Sequence, residues 1–467
     1  MNSAMLTQLL YCFCVLSALL LAGTLLRGLI PAFQKLFLPA SVIGGFIGLL
    51  AGPVIWKNFD IPFKGIPFPQ EWITAWSVLP GILIVPVVAS TPLGMKTRRT
   101  GQTSANVMKM FTLLFAVGGV QILLGLIVRE LFVHISPELN LYKTFGYELV
   151  EGFGGGHGTA GFIGGYYRDI GLSFWEIAQG LTTTTATFGL VGGMIIGIIA
   201  INIAARKSRT AILAEPWEIP AEIARGFEKD PEKQNVLGRE TTFNSSIESL
   251  SFHLAIILSG CGVAYIIMNL VRRYNVPVIY QLPIWVYALL VMFGINSLIQ
   301  KTGLKTLVDT KTKSRITGVC ADYAITAAVA SLPVQAIMKY IVPLMILIVL
   351  GYVLTYITIF GLSKIVFPDC YFEQGITIWG TYTGVFLTGL MLLKICDPDY
   401  RLPVLNDYTV SFSMTTLFGF ILTPLTVGVM LNYGFLANIL VQGGISLACI
   451  VLLFSVHIIS ERKGTRI

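Results

Sequence analysis

The chain has 467 residues, of which 55% are hydrophobic and 12% charged, and its mean hydropathy is +0.77. Soluble domains carry about 25% charged residues, so this composition excludes an ordinary water-soluble globular protein. The net charge of +8 could suit nucleic acid, but the basic residues lie in short loops between apolar segments, so we expect no nucleic-acid partner. The 7 cysteines contain no C-x-x-C pair and lie mostly in apolar stretches, which favours packed small hydrophobes over a disulfide framework or a metal site.

Long apolar segments predict an all-α polytopic membrane protein that contains about 11 transmembrane helices. The first segment lacks the basic start of a signal peptide, so we interpret it as a retained span. Two other segments, 149–167 and 371–394, are interrupted by Gly or Thr and favour re-entrant hairpins. The predicted spans are 5–28, 38–56, 73–94, 105–130, 174–205, 249–271, 282–300, 315–334, 337–362, 407–431 and 434–458.

The distribution of basic residues predicts the orientation of these spans. With the N-terminus outside and the spans alternating, most of the 32 Lys and Arg residues fall on the cytoplasmic side. The central loop and the C-terminus are then cytoplasmic. The hydrophilic stretch 206–248 is interpreted as a linker, because its basic and acidic residues balance.

The chain divides into two similar halves, 1–205 and 249–432, followed by an additional span and basic tail at 433–467. The segment Val88–Pro92 (VASTP) reappears as Val329–Pro333 (VASLP), and other short matches follow in the same order. Because each half holds an odd number of spans, the second half is predicted to be inverted. Inverted repeats that contain broken membrane elements are typical of secondary transporters, with substrate bound between the repeats.

The glycine-rich run at 152–161 is the strongest candidate for a binding site. At a hairpin tip, glycines allow the backbone to approach a ligand and leave amides free for an anion. We therefore predict substrate contacts from Gly156, His157, Gly158 and Thr159. The alternatives are close helix packing through small residues and, for His157, a structural hydrogen bond to the backbone.

Hydroxyl groups elsewhere supply further candidates. Thr184 and Thr187 lie one turn apart in a threonine-rich helix start, although threonines can also bond to their own helix. The second hairpin offers Thr381, Thr383 and Gly384 for substrate. For sodium, the candidates are Asp322, Thr388 and Ser411; Asp322 is a carboxylate in an apolar context, although it could also lie near the membrane surface.

The runs Gly155–Thr159 (GGHGT) and Ala186–Gly193 (ATFGLVGG) resemble those of the bacterial glutamate:sodium symporter (ESS) family. The resemblance implies uptake of an acidic amino acid with Na⁺ as the coupling ion and with no other cofactor. It also implies two re-entrant hairpins, a homodimer with moving transport domains and a location in the bacterial inner membrane. The second hairpin departs from the family, because Gly380–Gly384 (GTYTG) stands where members often carry a GHCGFGLG-like run.

Two other functions remain open on the sequence. A proton- or sodium-coupled hydroxycarboxylate carrier would also use paired glycine-rich hairpins. An intramembrane enzyme would need convergent titratable groups, and the sequence offers only Asp322, His157, Asp397 and Asp399 without a recognisable pairing. Motifs for metalloproteases, serine hydrolases and nucleotide hydrolysis do not occur, so we expect a gradient-driven transporter and not an enzyme.

Overall fold

The computed structural model describes residues 3–35, 38–52, 66, 68–94, 105–211, 230, 232, 234, 236, 238–243, 245–274, 282–397 and 401–462. Every regular element within these residues is helical, in agreement with the predicted all-α class. The helices are α1 Ser3–Leu29, α2 Pro31–Lys35, α3 Ala40–Ala51, α4 Gln70–Ser90, α5 Ala105–Ile135, α6 Glu148–Asp169, α7 Trp175–Arg206, α8 Ser249–Arg273, α9 Ile284–Lys301, α10 Thr310–Ala330, α11 Val334–Lys339, α12 Ile341–Val366, α13 Tyr371–Tyr382, α14 Phe386–Cys396, α15 Val404–Asn432 and α16 Phe435–Arg462, with 3₁₀ turns at Pro137–Leu139 and Leu304–Leu307.

Nine of the described helices are long and apolar enough to cross a membrane, which confirms a multi-pass protein. The predicted span 38–56 corresponds to the shorter apolar helix α3, and residues 53–56 lie outside the described residues. The predicted span 315–334 corresponds to α10, whose first turns carry Lys311, Lys313 and Arg315 and lower its hydropathy. The count of eleven spans and the orientation therefore stay predictions. Residues 212–229 of the predicted linker and 463–467 of the basic tail also lie outside the described part.

The first helix group, α1, α3, α4, α8, α9 and α10, contains the same packing arrangement twice. Helix α3 packs between α1 and α10, and α9 packs between α8 and α4. The helices α4 and α10 pack on each other, and the Ser90 and Thr317 hydroxyl oxygens lie 2.8 Å apart. A Cβ at Gly44 would lie 2.8 Å from the Leu19 carbonyl carbon, so glycine allows α3 to approach α1 closely. The repeated VAS segment lies at the C-terminal ends of α4 and α10.

The second helix group consists of α5 to α7 and α12 to α16. It contains the two segments that the sequence predicts to be hairpins, α6 and α13–α14. Helix α5 runs through this group in contact with α12, α15 and α16. The last helix, α16, turns the polar side chains Asn438, Gln442 and Ser446 inward and leaves leucines such as Leu436 and Leu440 exposed. A row of buried polar groups on an otherwise apolar span is typical of helix packing inside a membrane.

Candidate functional site

Helix α6 is broken at Gly156, inside the glycine-rich run. Gly156 has φ 67° and ψ −157°, a conformation almost confined to glycine because it brings a Cβ into contact with the backbone. The Thr159 hydroxyl spans the break, since its Oγ1 lies 2.5 Å from the Glu151 carbonyl oxygen and 2.8 Å from that of Gly156. The break therefore divides α6 into two half-helices that a threonine side chain holds together.

The chain segments before and after α6 meet at one end of the molecule. The Tyr142 ring stacks on Phe174, with 4.4 Å between ring centroids and 13° between planes. The Tyr167 ring, near the end of α6, also contacts Phe174, with 5.7 Å between centroids. The chain before α6 and the end of α6 therefore both contact Phe174.

A second break separates α13 from α14 at Thr383-Gly384-Val385. The two helices pack so closely that a Cβ at Gly380 would lie 2.7 Å from the Gly389 Cα atom. A side chain of α14 caps the N-terminal end of that helix, because Thr388 Oγ1 accepts a hydrogen bond from the Val385 amide at 3.3 Å. Thr388, a predicted sodium ligand, therefore uses its hydroxyl in this cap.

The two breaks are in direct contact. A Cβ at Gly156 would lie 2.5 Å from Val385 Cγ1 and 3.3 Å from the Gly384 carbonyl oxygen. Helix α7 lies beside this contact, since a Cβ at Gly189 would stand 2.7 Å from the Thr383 carbonyl oxygen. The structure thus brings together the predicted residues of both segments, which are 200 or more positions apart along the chain.

A cavity of about 290 Å³ lies beside the contact between the breaks, close to the lower limit of volumes usual for small-molecule sites. Most of its lining is apolar, but Gly158 and Thr159, in the first turn after the Gly156 break, also belong to it. The N-terminal end of a helix favours an anion. The lining comes from α4 (Ile84, Val87), α5 (Leu114), α6 (Val150, Glu151, Gly154, Gly155, Gly158, Thr159, Phe162), α13 (Thr381, Tyr382) and α15 (Phe412, Thr415, Thr416, Gly419, Phe420, Thr423).

The carboxyl group of Glu151 is the one acidic side chain among the described residues that line this cavity. The residue is 8% exposed, and its Oε1 accepts a hydrogen bond from Thr423 Oγ1 at 3.3 Å. Glu148, one turn earlier, is bound more closely, by the Tyr142 hydroxyl at 2.5 Å and the Gly146 amide at 2.6 Å. Both carboxyl groups are thus hydrogen-bonded, Glu151 also to the Tyr147 hydroxyl, but Glu151 lines the cavity whereas Glu148 stabilises the start of α6.

The two predicted threonines, Thr184 and Thr187, make different contacts in the structure. The Thr187 hydroxyl accepts a hydrogen bond from His157 Nε2 at 3.0 Å while donating to the Thr183 carbonyl oxygen at 2.9 Å, which assigns the ring proton to Nε2. Thr184 donates to the Gly180 carbonyl oxygen at 2.9 Å, and neither Thr184 nor Thr187 lines the cavity. His157 is buried, and its hydrogen bond joins α6 to α7. The alternative considered from the sequence was a structural hydrogen bond to the backbone, whereas the acceptor here is the Thr187 side chain.

Replacing Thr187 with valine is expected to leave the buried Nε2–H of His157 without an acceptor. An unpaired buried donor costs about 1–3 kcal/mol, so we expect a lower midpoint of thermal unfolding and roughly tenfold weaker uptake. Thr184→Val is the matched control, because it removes only a bond of the helix to itself. Equal effects of the two substitutions on the unfolding midpoint, measured on purified protein, would contradict this role of Thr187.

The predicted sodium ligands are not brought together. Asp322 lies on α10 beside the Ser41 hydroxyl of α3, and Ser411 Oγ donates to backbone carbonyl oxygens, with Val107 at 2.8 Å and Asp407 at 2.7 Å. Of the second segment's predicted substrate residues, Thr381 lines the cavity and lies 2.8 Å from the Tyr408 hydroxyl, while the Thr383 hydroxyl donates to the Trp379 carbonyl oxygen at 2.8 Å. Thr381 and Thr383 therefore lie at the contact between the breaks, and Asp322 lies outside it.

Apolar helices of membrane length, two broken helical segments in contact and a cavity beside them define this protein as a polytopic membrane transporter. The model of the sodium/glutamate symporter family matches residues 97–370, more than half of the chain, and the chain belongs to this family. The family resemblance inferred from the sequence is thereby confirmed, and the protein is a transporter and not an enzyme. No curated protein matches the chain.

Proposed function

We propose that the protein carries glutamate, or a closely related acidic amino acid, across the membrane together with sodium, and that the cavity beside the two breaks binds the substrate. The observation that carries this proposal is the contact of Gly156 with Gly384 and Val385 at the cavity. Membership of the sodium/glutamate symporter family supports both the substrate class and the coupling ion.

The lining of the cavity complements the groups of an acidic amino acid. The half-helix that follows Gly156 presents its positive end and the first-turn residues Gly158 and Thr159 to a carboxylate. The hydroxyls of Thr381 and Thr415 donate to the carbonyl oxygens of Thr377 and Ser411 in their own helices, so their oxygens add hydrogen-bond acceptors for an ammonium group. The Glu151 carboxylate offers an acceptor for an ammonium group, and bonds between charged partners are the strong ones.

Glu151 also favours an amino acid over a hydroxycarboxylate as the substrate. A hydroxycarboxylate has no ammonium group, so its carboxylates would face Glu151 without an opposite charge between them. Like charges in a cavity of low dielectric repel strongly. The hydroxycarboxylate carrier therefore remains the second candidate, and a substrate series distinguishes the two.

Alternating access is the mechanism we infer for this arrangement. The two broken segments are proposed to be re-entrant hairpins that enter from opposite sides in inverted halves. This is supported by the Tyr142–Phe174 stack at the ends of the first segment, the close Gly380–Gly389 packing in the second and the duplicated arrangement of the first helix group. The homodimer and the bacterial inner membrane, both implied by the family, stay predictions, as does a sodium site at Thr388.

Uptake into proteoliposomes tests the proposal. Labelled glutamate, aspartate, malate and citrate are offered separately, with an inward sodium gradient, an inward proton gradient or no gradient. We expect glutamate or aspartate to accumulate only with the sodium gradient. Accumulation of malate or citrate would favour the hydroxycarboxylate carrier, and uptake that is indifferent to every gradient would exclude symport.

A further inference from the structure

A groove of about 540 Å³ lies between α8 and α10, away from the substrate cavity. It begins where residues 238–240, in the last third of the predicted linker, reach the N-terminal ends of these two helices. Its lining divides into an apolar wall and a charged end. The apolar wall includes Leu250, Leu254, Ile316 and Val319, and the charged end consists of Arg239, Arg315, Glu240 and Glu248.

The apolar wall continues along the membrane-facing side of α8. Leu250, Leu254 and Leu258 recur every four residues, and they are 47%, 36% and 50% exposed. Residues at this spacing share one face of a helix, and α8 is apolar enough to span a membrane. Across the groove Val319 is 58% exposed, while Ile316 forms the buried floor. The wall therefore suits an acyl chain that lies parallel to the helices.

The charged end of the groove contains two arginine side chains that are free to bind an anion. Neither the Arg239 nor the Arg315 guanidinium forms an ion pair within the part of the chain that the structure describes. Glu248 already accepts from the Ser251 amide at 2.8 Å as the N-cap of α8, yet it remains exposed on the groove. Two cations and two carboxylates thus surround one end of an apolar groove, where the membrane surface lies.

The backbone of the charged end is held in place by a polar cluster around Asp309. Asp309 Oδ2 accepts from the amides of Arg239 at 3.2 Å and Thr312 at 2.8 Å, and the Asp309 amide donates to His253 Nε2 at 2.8 Å. Desolvation raises the pKa of the Asp309 carboxyl, but the bonds from Thr312 and Arg239 outweigh it and lower the pKa below its usual value. Asp309 is therefore charged at neutral pH, and Arg239 is positioned before any ligand arrives.

We propose that this groove binds one phospholipid with an ethanolamine headgroup, from the leaflet on the linker side of the membrane. Arg239 and Arg315 bind the phosphate, the ammonium group contacts Glu240 and Glu248, and one acyl chain packs against the leucines of α8. Basic pockets between membrane helices are known positions for phospholipid headgroups. The two carboxylates favour a headgroup that carries an ammonium group over an anionic glycerol headgroup. The site does not depend on the proposed substrate.

Native mass spectrometry of the purified full-length chain tests the site. The protein is incubated with equal amounts of phosphatidylethanolamine, phosphatidylglycerol and phosphatidylcholine that carry the same acyl chains. We expect the ethanolamine lipid to be retained preferentially, and the double substitution Arg239→Ala with Arg315→Ala to weaken its retention by about tenfold or more. Lys311→Ala removes an exposed charge one turn before Arg315 and should retain the lipid as the unmodified protein does.

Three results would overturn the proposal: preferential retention of the glycerol lipid, equal retention of all three lipids, or retention that the arginine substitutions leave unchanged. A separate substitution, Val319→Trp, fills the apolar wall without altering any charge and should displace the lipid as well. Because Val319 is exposed, this variant is expected to fold, so the test does not depend on the stability of the arginine double variant.

Discussion

Replacing Gly156 with alanine is expected to reduce sodium-driven uptake by more than about 100-fold. The φ of 67° and ψ of −157° cost a non-glycine residue roughly 1–3 kcal/mol, and the new Cβ would lie 2.5 Å from Val385 Cγ1. Overpacking of this kind adds roughly 1–3 kcal/mol. Because both costs fall on the conformation in which the two breaks touch, we expect uptake to fall while the protein still inserts into the membrane.

Two further variants separate the causes of this loss. Val385→Ala removes the Cγ1 atom that the new methyl group would meet, so the double variant Gly156→Ala with Val385→Ala should recover part of the uptake. Gly262→Ala is the matched control, since a Cβ there would meet nothing within 4 Å. Initial rates in proteoliposomes measure each effect at equal protein content. Wild-type uptake by Gly156→Ala, or a defect in Gly262→Ala, would contradict the importance of this contact.

The two broken segments could be located from the sequence, because what interrupts a helix is the residues within the segment itself. A dense glycine run disfavours a continuous helix, at about 1 kcal/mol per residue, and the predicted segments 149–167 and 371–394 agree closely with α6 and with α13–α14. That Gly156 meets Val385 could not be predicted, because contacts between distant segments depend on how whole helices pack.

The roles of the hydroxyl groups were less accessible from the sequence. A threonine in a membrane helix can bond to the carbonyl four residues earlier or to a ligand, and composition does not distinguish the two. In the structure the hydroxyls of Thr182 to Thr185 and of Thr187 all donate within α7. Only the acceptor side of Thr187 remains for His157. The roles assigned to these hydroxyl groups from the sequence therefore stay predictions.

The acidic residues of α6 were missed, although the sequence contained a signal for them. Glu148 and Glu151 stand one helical turn apart directly before the glycine run, and Glu151 lies inside the segment 149–167 that was predicted to enter the membrane. Carboxylates at membrane depth are expensive and usually functional. Asp322 was predicted to be functional instead, because its sequence neighbours are more apolar. In the structure it lies on α10 beside Ser41, away from the breaks.

Replacing Glu151 with glutamine is expected to change substrate preference as well as the rate of uptake. The substitution keeps the shape of the side chain and removes its charge, so an ammonium group loses its charged acceptor while the Thr423 hydrogen bond can persist. Hydrogen bonds to charged groups contribute about 1.5–3 kcal/mol, so kcat/KM for glutamate should fall roughly 10- to 100-fold. Malate, which has no ammonium group, should lose much less or gain.

Glu148→Gln is the control that distinguishes recognition from folding. Glu148 binds the Tyr142 hydroxyl and the Gly146 amide and does not line the cavity, so this variant should lower the unfolding midpoint and keep the ratio of glutamate to malate uptake. Both ratios come from competition between labelled substrates in the same proteoliposomes. An unchanged ratio in Glu151→Gln would remove the ammonium contact from the proposed site. A changed ratio in Glu148→Gln alone would transfer recognition to the other carboxylate, since only the group that faces the substrate can alter the preference between two substrates.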